Sequence, residues 1–431
     1  MGQDMRNSSS PVALTAGLAL PSLGEALEEA SLSVERFCLR AGIEALQEMM
    51  AADAAAICGP RYRRHEGRRG YRWGETTGEI GYHGGRVKVT RPRVRDGNGK
   101  EVGLASWEAL RDGDLLRQWA LNLMVLSVST RRYRRAVRLP EGDLPGIAGD
   151  GTSKSAVSRR FVALSRKKMK VWLSRDLSAL DLLIIQIDGL HVADHVLVAA
   201  VGVEGNGDKH VLAVAEGATE NAATVQAVLD NLVDRGLDPA IPRLFIVDGA
   251  KALSKAVRNT FGAAAAIQRC QIHKGRNVIE RLDESLHAGV KKVLRQAWQE
   301  ADAGKAERLL RNLARRLGHT DPGVSGSILE GLDEILTVTR LGLPPELRRA
   351  LACTNIIENA IGTVRQVSRN VKRWRNAEMA LRWTAAGLIE AQKGFRRLKA
   401  YRQLPVLRDA LADNFTKARA NSAIETIMNA A

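Results

Sequence analysis

Two aspartates and a glutamate are the residues of this 431-residue chain best suited by type and context to do chemistry. Asp188 closes LLIIQID, Asp248 closes RLFIVD, and Glu358 sits in CTNIIENAIG. Each aspartate ends an apolar, largely β-branched run, the pattern of a buried strand. Gly189 and Gly249 follow them and let the chain turn away. A carboxylate at the end of a buried strand lies at a sheet rim, where a cation can be held. Three such groups meeting there could hold two Mg²⁺ (or Mn²⁺) ions, an arrangement that serves displacement at a phosphodiester.

Each residue also has a plainer reading. A lone strand-ending Asp is as readily a turn former, although two matching strand–Asp–Gly endings in one segment are harder to dismiss. Asn355 and Glu358 have the spacing of a capping box. Against that, Ile357, Ile361 and Val364 form a buried stripe, which leaves Glu358, Gly362, Arg365 and Arg369 on a neighbouring polar face. Cys270 and His273 could be half a zinc site, but no second pair lies nearby, and Arg269, Lys274 and Arg276 would repel a cation. The favoured reading, a structural or DNA-proximal role, packs Cys270 at a strand end and points His273 toward the catalytic face or the scissile phosphate. His191 is three residues from Asp188 but is not taken as a ligand.

The elements that must position these residues can be read from periodicity. Strands are expected at 182–188, 195–203, 209–216, 243–248 and 264–269, with helices at 221–235 and 250–260. Short connections make the first three strands an antiparallel meander. The helix before the fourth allows that strand to lie parallel. This order of elements is that of a ribonuclease-H-like core. From 276 to 350 the strand signal vanishes, and 354–400 reads as helical, with a helical tail at 405–431.

Upstream, 24–57 reads as a helix ended by Gly59-Pro60. Residues 61–100 carry 12 Lys and Arg against 4 Asp and Glu, interleaved with Tyr62, Tyr71, Trp73 and Tyr82. That mixture suits phosphate contact with stacking on a small β-hairpin module, or simply a solvated basic surface. Helices are again expected over 105–180, around a polar loop, EGDLPGIAGDGTSK. Ser153 or Ser155 could cap the last helix. That helix carries Arg159 and Arg160 near its start and could be the second helix of a helix-turn-helix, or one half of an ordinary amphipathic pair.

Net charge is +17 and the sequence pI about 10.1, a balance that favours a polyanionic partner. No apolar stretch is long enough to span a bilayer. Residues 361–402 hold 11 Lys and Arg and only two acids, Glu378 and Glu390. Within them Trp374 stands among Lys372, Arg373 and Arg375, where it could stack on an exposed base or pack as a helical core residue. The four cysteines form no CxxC pair, which fits a reducing cytoplasm. The N-terminal stretch lacks the basic lead of a secretion signal and reads as a frayed leader. Arg6 makes myristoylation of Gly2 unexpected.

Taken together, IDGLH around Asp188, VDGAKAL around Asp248, RCQIHKGRNV at 269–278 and TNIIENAIGTVRQVSRNVKRW across Glu358 resemble the Mutator-type DDE transposases of bacterial insertion sequences. The spacings agree in kind: 60 residues separate the two aspartates and 110 separate Asp248 from Glu358. The resemblance covers roughly 60–400. It implies a mixed five-stranded ribonuclease-H-like core interrupted by an all-α insertion, with Asp188, Asp248 and Glu358 as catalytic metal ligands for two ions. Cys270 and His273 match its C-x-x-H signature. It also implies an N-terminal region that binds the element's terminal inverted repeats, and a homodimer or higher assembly at synapsis.

The expected organisation is an N-terminal helical region (1–58), a basic β module (59–110), a helix-turn-helix-like region (111–178), a first core segment (179–275), the helical insertion (276–350), core helices bearing the glutamate (351–400) and a tail (401–431). The expected DNA contacts are Arg159, Arg160, Arg276, Arg365, Arg369, Lys372, Arg373, Trp374 and Arg375. The expected activity is cleavage at element ends and strand transfer into double-stranded target DNA, in the bacterial cytoplasm at the nucleoid. The rivals are a nuclease of the same fold that cleaves without joining and a non-catalytic DNA-binding regulator.

Overall fold

The computed structural model describes residues 23–63, 66–82, 84–111, 113–137, 153–217 and 221–430. Residues 1–22 and 138–152, where the sequence reading expects a frayed leader and most of a polar loop, lie outside the described residues. The described residues fall into two compact units. One ends at Leu116 apart from Val137; the other takes Arg117–Ala136 and Ser153 onward.

The first unit opens with helix α1 (Leu23–Cys58). Strands β1 (Tyr71–Tyr82) and β2 (Gly85–Arg95) form an antiparallel hairpin extended by β3 (Glu101–Val102). Helix α2 (Ala105–Arg111) follows. β2 buries Val87 and Val89 and exposes Arg86 and Lys88, the period-two signature of a sheet with one wet face. The buried residues meet Met50, Ala54 and Trp107. Gly78 allows the close approach: a Cβ there would fall 2.3 Å from the Trp107 ring. Of the aromatics interleaved with charge, Tyr62 is fully exposed, and Trp73 is half-exposed beneath the Arg95 guanidinium, 4.3 Å from the ring centre.

Helices α3 (Asp114–Val125), α4 (Tyr133–Ala136) and α5 (Lys154–Leu173) come next. Ser153 is the residue that caps α5, accepting from the Ala156 N–H. α5 buries Phe161, whose ring stacks 4.4 Å from that of Trp383, and Trp172, whose indole N–H donates to the Val211 carbonyl.

The second unit is built on a five-stranded mixed sheet. Its strands are β4 (Leu182–Val192), β5 (His195–Glu204), β6 (Lys209–Glu216), β7 (Leu244–Val247) and β8 (Ala266–Arg269). The spatial order is β6-β5-β4-β7-β8. β4, β5 and β6 are antiparallel, as the short connections predict, and β4, β7 and β8 are parallel. The intervening helices are α6 (Ala222–Asp234) and α7 (Lys251–Phe261).

Alternation along β4 assigns the two faces of the sheet. Ile185 and Ile187 pack toward α6 and α7, whereas Ile184 and Leu190 share a core with later helices. Gln186 and Asp188 belong to the Ile184 face by the same period.

One expectation is corrected here. Asp188 does not end its strand. β4 runs on to Val192, and Asp188 pairs with Ala199, because the long β4–β5 hairpin turns only at Ala193, which adopts φ 51°. Gly189 stays in the strand opposite Val198. Gly249 does turn the chain, at φ 115°. What ends beside Asp188 is the parallel pairing with β7, whose last rung is Ile187–Val247.

After β8 come α8 (Gln271–Ile279), α9 (Glu284–Gln299), α10 (Ala303–Leu317), α11 (Pro322–Leu329), α12 (Leu332–Ile335), α13 (Thr337–Arg340) and α14 (Pro345–Leu351). Most of these helices enclose a core of their own, including Val278, Leu294, Leu310, Leu313 and Ile335. It is joined to the sheet by a buried ion pair. Glu334 accepts from Arg269 at the end of β8 and from Arg258 on α7. Gly331 (φ 65°) leaves room for it, since a Cβ there would fall 2.5 Å from the Arg269 guanidinium.

Helices α15 (Asn355–Ser368) and α16 (Ala377–Lys393) lie on the Ile184 face, and α17 (Leu404–Ala430) ends the chain. The helical reading of 354–400 is thus corrected. Residues 369–376 are non-helical, and Asn376 caps α16 through the Met379 N–H. No helix among the described residues is long and apolar enough to cross a membrane.

Candidate active site

The acids converge because three connections are pinned. Gln186 is fully buried two residues before Asp188. Its amide nitrogen donates to the Cys353 carbonyl and its amide oxygen accepts from the Ile357 N–H, both at 3.2 Å. A strand side chain thereby fixes the start of α15 over β4, one residue from Glu358. The Cys270 N–H donates to the Val247 carbonyl and the Gln271 N–H to the Ala352 carbonyl, which ties the end of β8 to β7 and to the segment before α15. Thr354, also fully buried, donates its hydroxyl to the Cys270 sulfur.

Within this frame Asp188, His273 and Glu358 each offer a ligand atom within 4.8 Å of the others, the only such cluster among the described residues. Asp188 and Glu358 are 170 residues apart in the chain. Asp248 lies one residue beyond the last β4–β7 rung, directly after the end of β7, as Asp188 lies one residue beyond that rung on β4. Its carboxylate is outside the tight cluster and accepts from the Ala250 N–H at 2.9 Å. Its charge is nevertheless felt at Asp188.

Glu358 is not a cap. The residue before α15 makes no side-chain cap bond, and Thr354 provides only its carbonyl, to the Glu358 N–H. The Glu358 side chain turns instead toward His273, with Nε2 to Oε1 at 3.4 Å. That Oε1 is buried and accepts no hydrogen bond. Buried carboxylate oxygens are normally satisfied, so an unsatisfied one beside a second carboxylate fits a cation ligand.

Electrostatics point the same way. Burial pushes Asp188 up to about 6, against the pull of His273 and with a push from Asp248. His273 is raised to about 9, first by the Cys270 sulfur beside its ring, against burial, with Asp188 and Glu358 adding to the rise. An imidazolium thus stands between two carboxylates, as a compact cation would. The C-x-x-H spacing has a local cause: Cys270 caps α8, its sulfur accepting from the His273 N–H one turn on, so the ring is delivered to the site while the thiol stays buried.

The repulsion expected from neighbouring cations is largely answered. Arg269 is paired with Glu334, and burial with Arg269 nearby pushes Lys274 down to about 8. His191 is exposed.

The expected DNA-contacting residues are not part of this cluster. Arg159, Arg276, Arg365, Arg369, Lys372, Arg373 and Arg375 are exposed, and Arg160 and Trp374 are half-buried. Arg365 continues the Glu358 face of α15 and Arg369 directly follows the helix, and a side chain at Gly362, between Glu358 and Arg365, would meet open space. Sequence reading missed Gln186 and Thr354 as positioning residues. A polar side chain in a β-branched strand, two before an acid on the same face, was the available signal.

Comparison with known proteins now decides the family. The family described as "Transposase, Mutator family" matches residues 25–397. The chain belongs to it. Among similar curated proteins, the IS6120 transposase of Mycolicibacterium smegmatis is 30% identical over 51% of this chain and 68% of its own length. The IS1081 transposase of Mycobacterium tuberculosis is 26% identical over 90% and 92%. The ISRM5 transposase of Rhizobium meliloti is 24% identical over 84% and 90%.

Proposed function

We propose that this Mutator-family chain is a DDE transposase with a ribonuclease-H-like core, in which Asp188, Asp248 and Glu358 are the catalytic carboxylates. The observation that carries the reading is the meeting of Asp188 and Glu358 within 4.8 Å, at the sheet position where Asp248 also emerges. The strand order β6-β5-β4-β7-β8, three antiparallel and two parallel, supports the core assignment. Helices α8 to α13, with their own apolar cluster, support the helical insertion.

The three carboxylates would hold two Mg²⁺ or Mn²⁺ ions, whose chemistry is to activate the attacking oxygen and stabilise the leaving one. The chain's own residues do the positioning. Gln186 keeps Glu358 against Asp188, and His273 balances the carboxylates when no cation is bound. Burial keeps the dielectric low, so each charge acts strongly on the phosphorus. In the first step water attacks a phosphodiester at an element end; the P–O3′ bond breaks and a 3′-OH is freed. That 3′-OH then attacks a phosphodiester of the target strand, displacing its 3′-oxygen. Basic surfaces on both units hold the double-stranded DNA through its phosphates, and joining two ends calls for at least a homodimer. The reaction would take place at the bacterial nucleoid.

A strand-transfer assay tests the proposal. Precut duplexes carrying the inverted repeats that flank the chain's own coding segment are incubated with the protein and Mg²⁺. Joined products that vanish in Asp188→Asn and Glu358→Gln are expected. Cleavage without joining would make the chain a nuclease, and DNA binding with neither reaction would make it a regulator.

A further inference from the structure

A cavity of about 670 Å³ opens between α5, the segment after α3 and the non-helical residues 370–376. That is within the several-hundred Å³ range of ligand sites. Its character is unusual for a structural void. Trp374, Phe161 and Trp383 supply aromatic surface, while Lys372, Arg373 and Arg375 stand at the wall with no hydrogen bond or ion pair among the described residues. Arg382 is the decisive group. It lines the cavity at 6% exposure, and its Nε makes no hydrogen bond. Its nearest acid, Glu378, lies 3.8 Å from its Nη1 and is already engaged by Arg166 at 2.5 Å. A buried guanidinium with an unanswered donor is costly unless a ligand answers it.

The cavity also lies at the end of a continuous polar track. Glu358, Gly362 and Arg365 follow one another along α15, and Arg369 comes directly after its last residue, Ser368. The ten residue steps from Glu358 to Ser368 rise roughly 15 Å, and Gly362 leaves the track without a side chain between Glu358 and Arg365. The track fits a sugar-phosphate backbone leading from the carboxylates to the cavity.

We propose that this cavity receives a single unpaired nucleotide of the bound DNA, its base against Trp374 and its phosphate among Lys372, Arg373 and Arg375, with Arg382 reaching a base edge or phosphate oxygen. The proposal rests on the transposase reading and adds a specific ligand to it. Trp374 is half-buried and packed against the core on one side, so its ring is held in place before the base arrives. An aromatic platform between cations accepts any base, because every base has a π face.

The test compares three short duplexes of the same sequence at low salt: fully paired, with one unpaired 2-aminopurine bulge, and with an abasic bulge. With the full-length wild-type chain, the base-bearing bulge is expected to bind at least about tenfold tighter than the paired duplex, with quenched 2-aminopurine fluorescence. Trp374→Ala should bring the ratio of bulged to paired affinity close to one, and Trp374→Phe should restore most of it. The ratio is insensitive to a general loss of folded protein. Equal affinity of the wild type for paired and bulged DNA would overturn the assignment. So would an undiminished ratio in Trp374→Ala, or equal affinity for the abasic bulge, which would leave a phosphate site only. Binding of the paired duplex alone removes the nucleotide pocket and leaves the transposase reading standing, whereas failure to bind any of the three DNAs removes both.

Discussion

Around β4 the polar groups that carry the site are answered from inside the chain, leaving buried atoms of Glu358 and His273 unsatisfied at the site itself, whereas over residues 369–376 the cations are left without internal partners. Gln186, Thr354 and Cys270 spend their hydrogen bonds on the backbone and side chains that carry Glu358 and His273. Lys372, Arg373 and Arg375 point outward, and even the buried Arg382 keeps an unsatisfied nitrogen. The first region needs geometry, since carboxylates must sit within a few ångströms to share a cation. The second needs only charge and a platform, because phosphates are recognised through a field and bases through stacking. Order is therefore concentrated where chemistry is proposed, and unpaired charge where a polyanion is expected.

Substitutions break the two regions in different ways, and the largest effect belongs to the carboxylates. Asp188→Asn should lower strand transfer by about 10³-fold or more, beyond the 10–100-fold typical of residues that only support a ligand, with the thermal unfolding midpoint unchanged or raised. The rise is expected because a buried acid held near 6 is a burden to the fold at neutral pH. A fall in activity matched by a fall in folded protein would show the residue to be structural.

Glu334→Gln should act on the fold instead. It leaves the buried Arg269 without its counter-charge, and the exposed Arg258 without its partner, and should cost about 3–5 kcal/mol in denaturant unfolding. Burial would raise the Glu334 carboxyl, but hydrogen bonds and charge from Arg269 and then Arg258 outweigh it and hold the group below its ordinary 4.5. A depressed folded value means that the stabilisation is fully present above that range and is lost as pH falls through the lowered value. The stability gap between wild type and Glu334→Gln should therefore narrow in acid; a constant gap would show that the pair contributes through packing alone.

Gln186→Leu sharpens the comparison from the positioning side. It frees the Ile357 N–H and the Cys353 carbonyl and should reduce strand transfer about 10–100-fold, with a stability loss of about 1–3 kcal/mol. Activity should fall further than DNA affinity. The smallest effect should come from Arg373→Ala and Arg375→Ala together. Binding should weaken on all sequences alike, and the slope of log affinity against log salt should flatten by about 0.9 for each phosphate no longer neutralised. An unchanged slope would place DNA elsewhere.

The strands and their order were legible because apolar runs of four to eight residues separated by short polar turns leave little choice of element. The acids were legible because a charge inside or after such a run is anomalous. The end of β4 was misjudged for a physical reason. A glycine after an aspartate signals a turn only if the strand has no further partner, and β5 supplies one out to His195. The capping-box reading of Asn355 and Glu358 gave way to tertiary demand, since Gln186 satisfies the Ile357 N–H. The break at 369–376 was hidden by Arg369, Lys372, Arg373 and Arg375, good helix formers that outweighed the two asparagines at 370 and 376. That His273 faces the catalytic acids was expected from the sequence; that it comes within ligand distance of both Asp188 and Glu358 was not legible, because it depends on residues 85 positions away on either side.

The convergence of Asp188 and Glu358 on a cation is tested most directly by anomalous diffraction from crystals soaked in Mn²⁺. A peak within about 2.0–2.6 Å of carboxylate oxygens from both residues, with Asp248 turned toward the same or an adjacent peak, is the expected result. Ordered carboxylates with no peak between them at saturating Mn²⁺, or a peak held only by other residues, would contradict it.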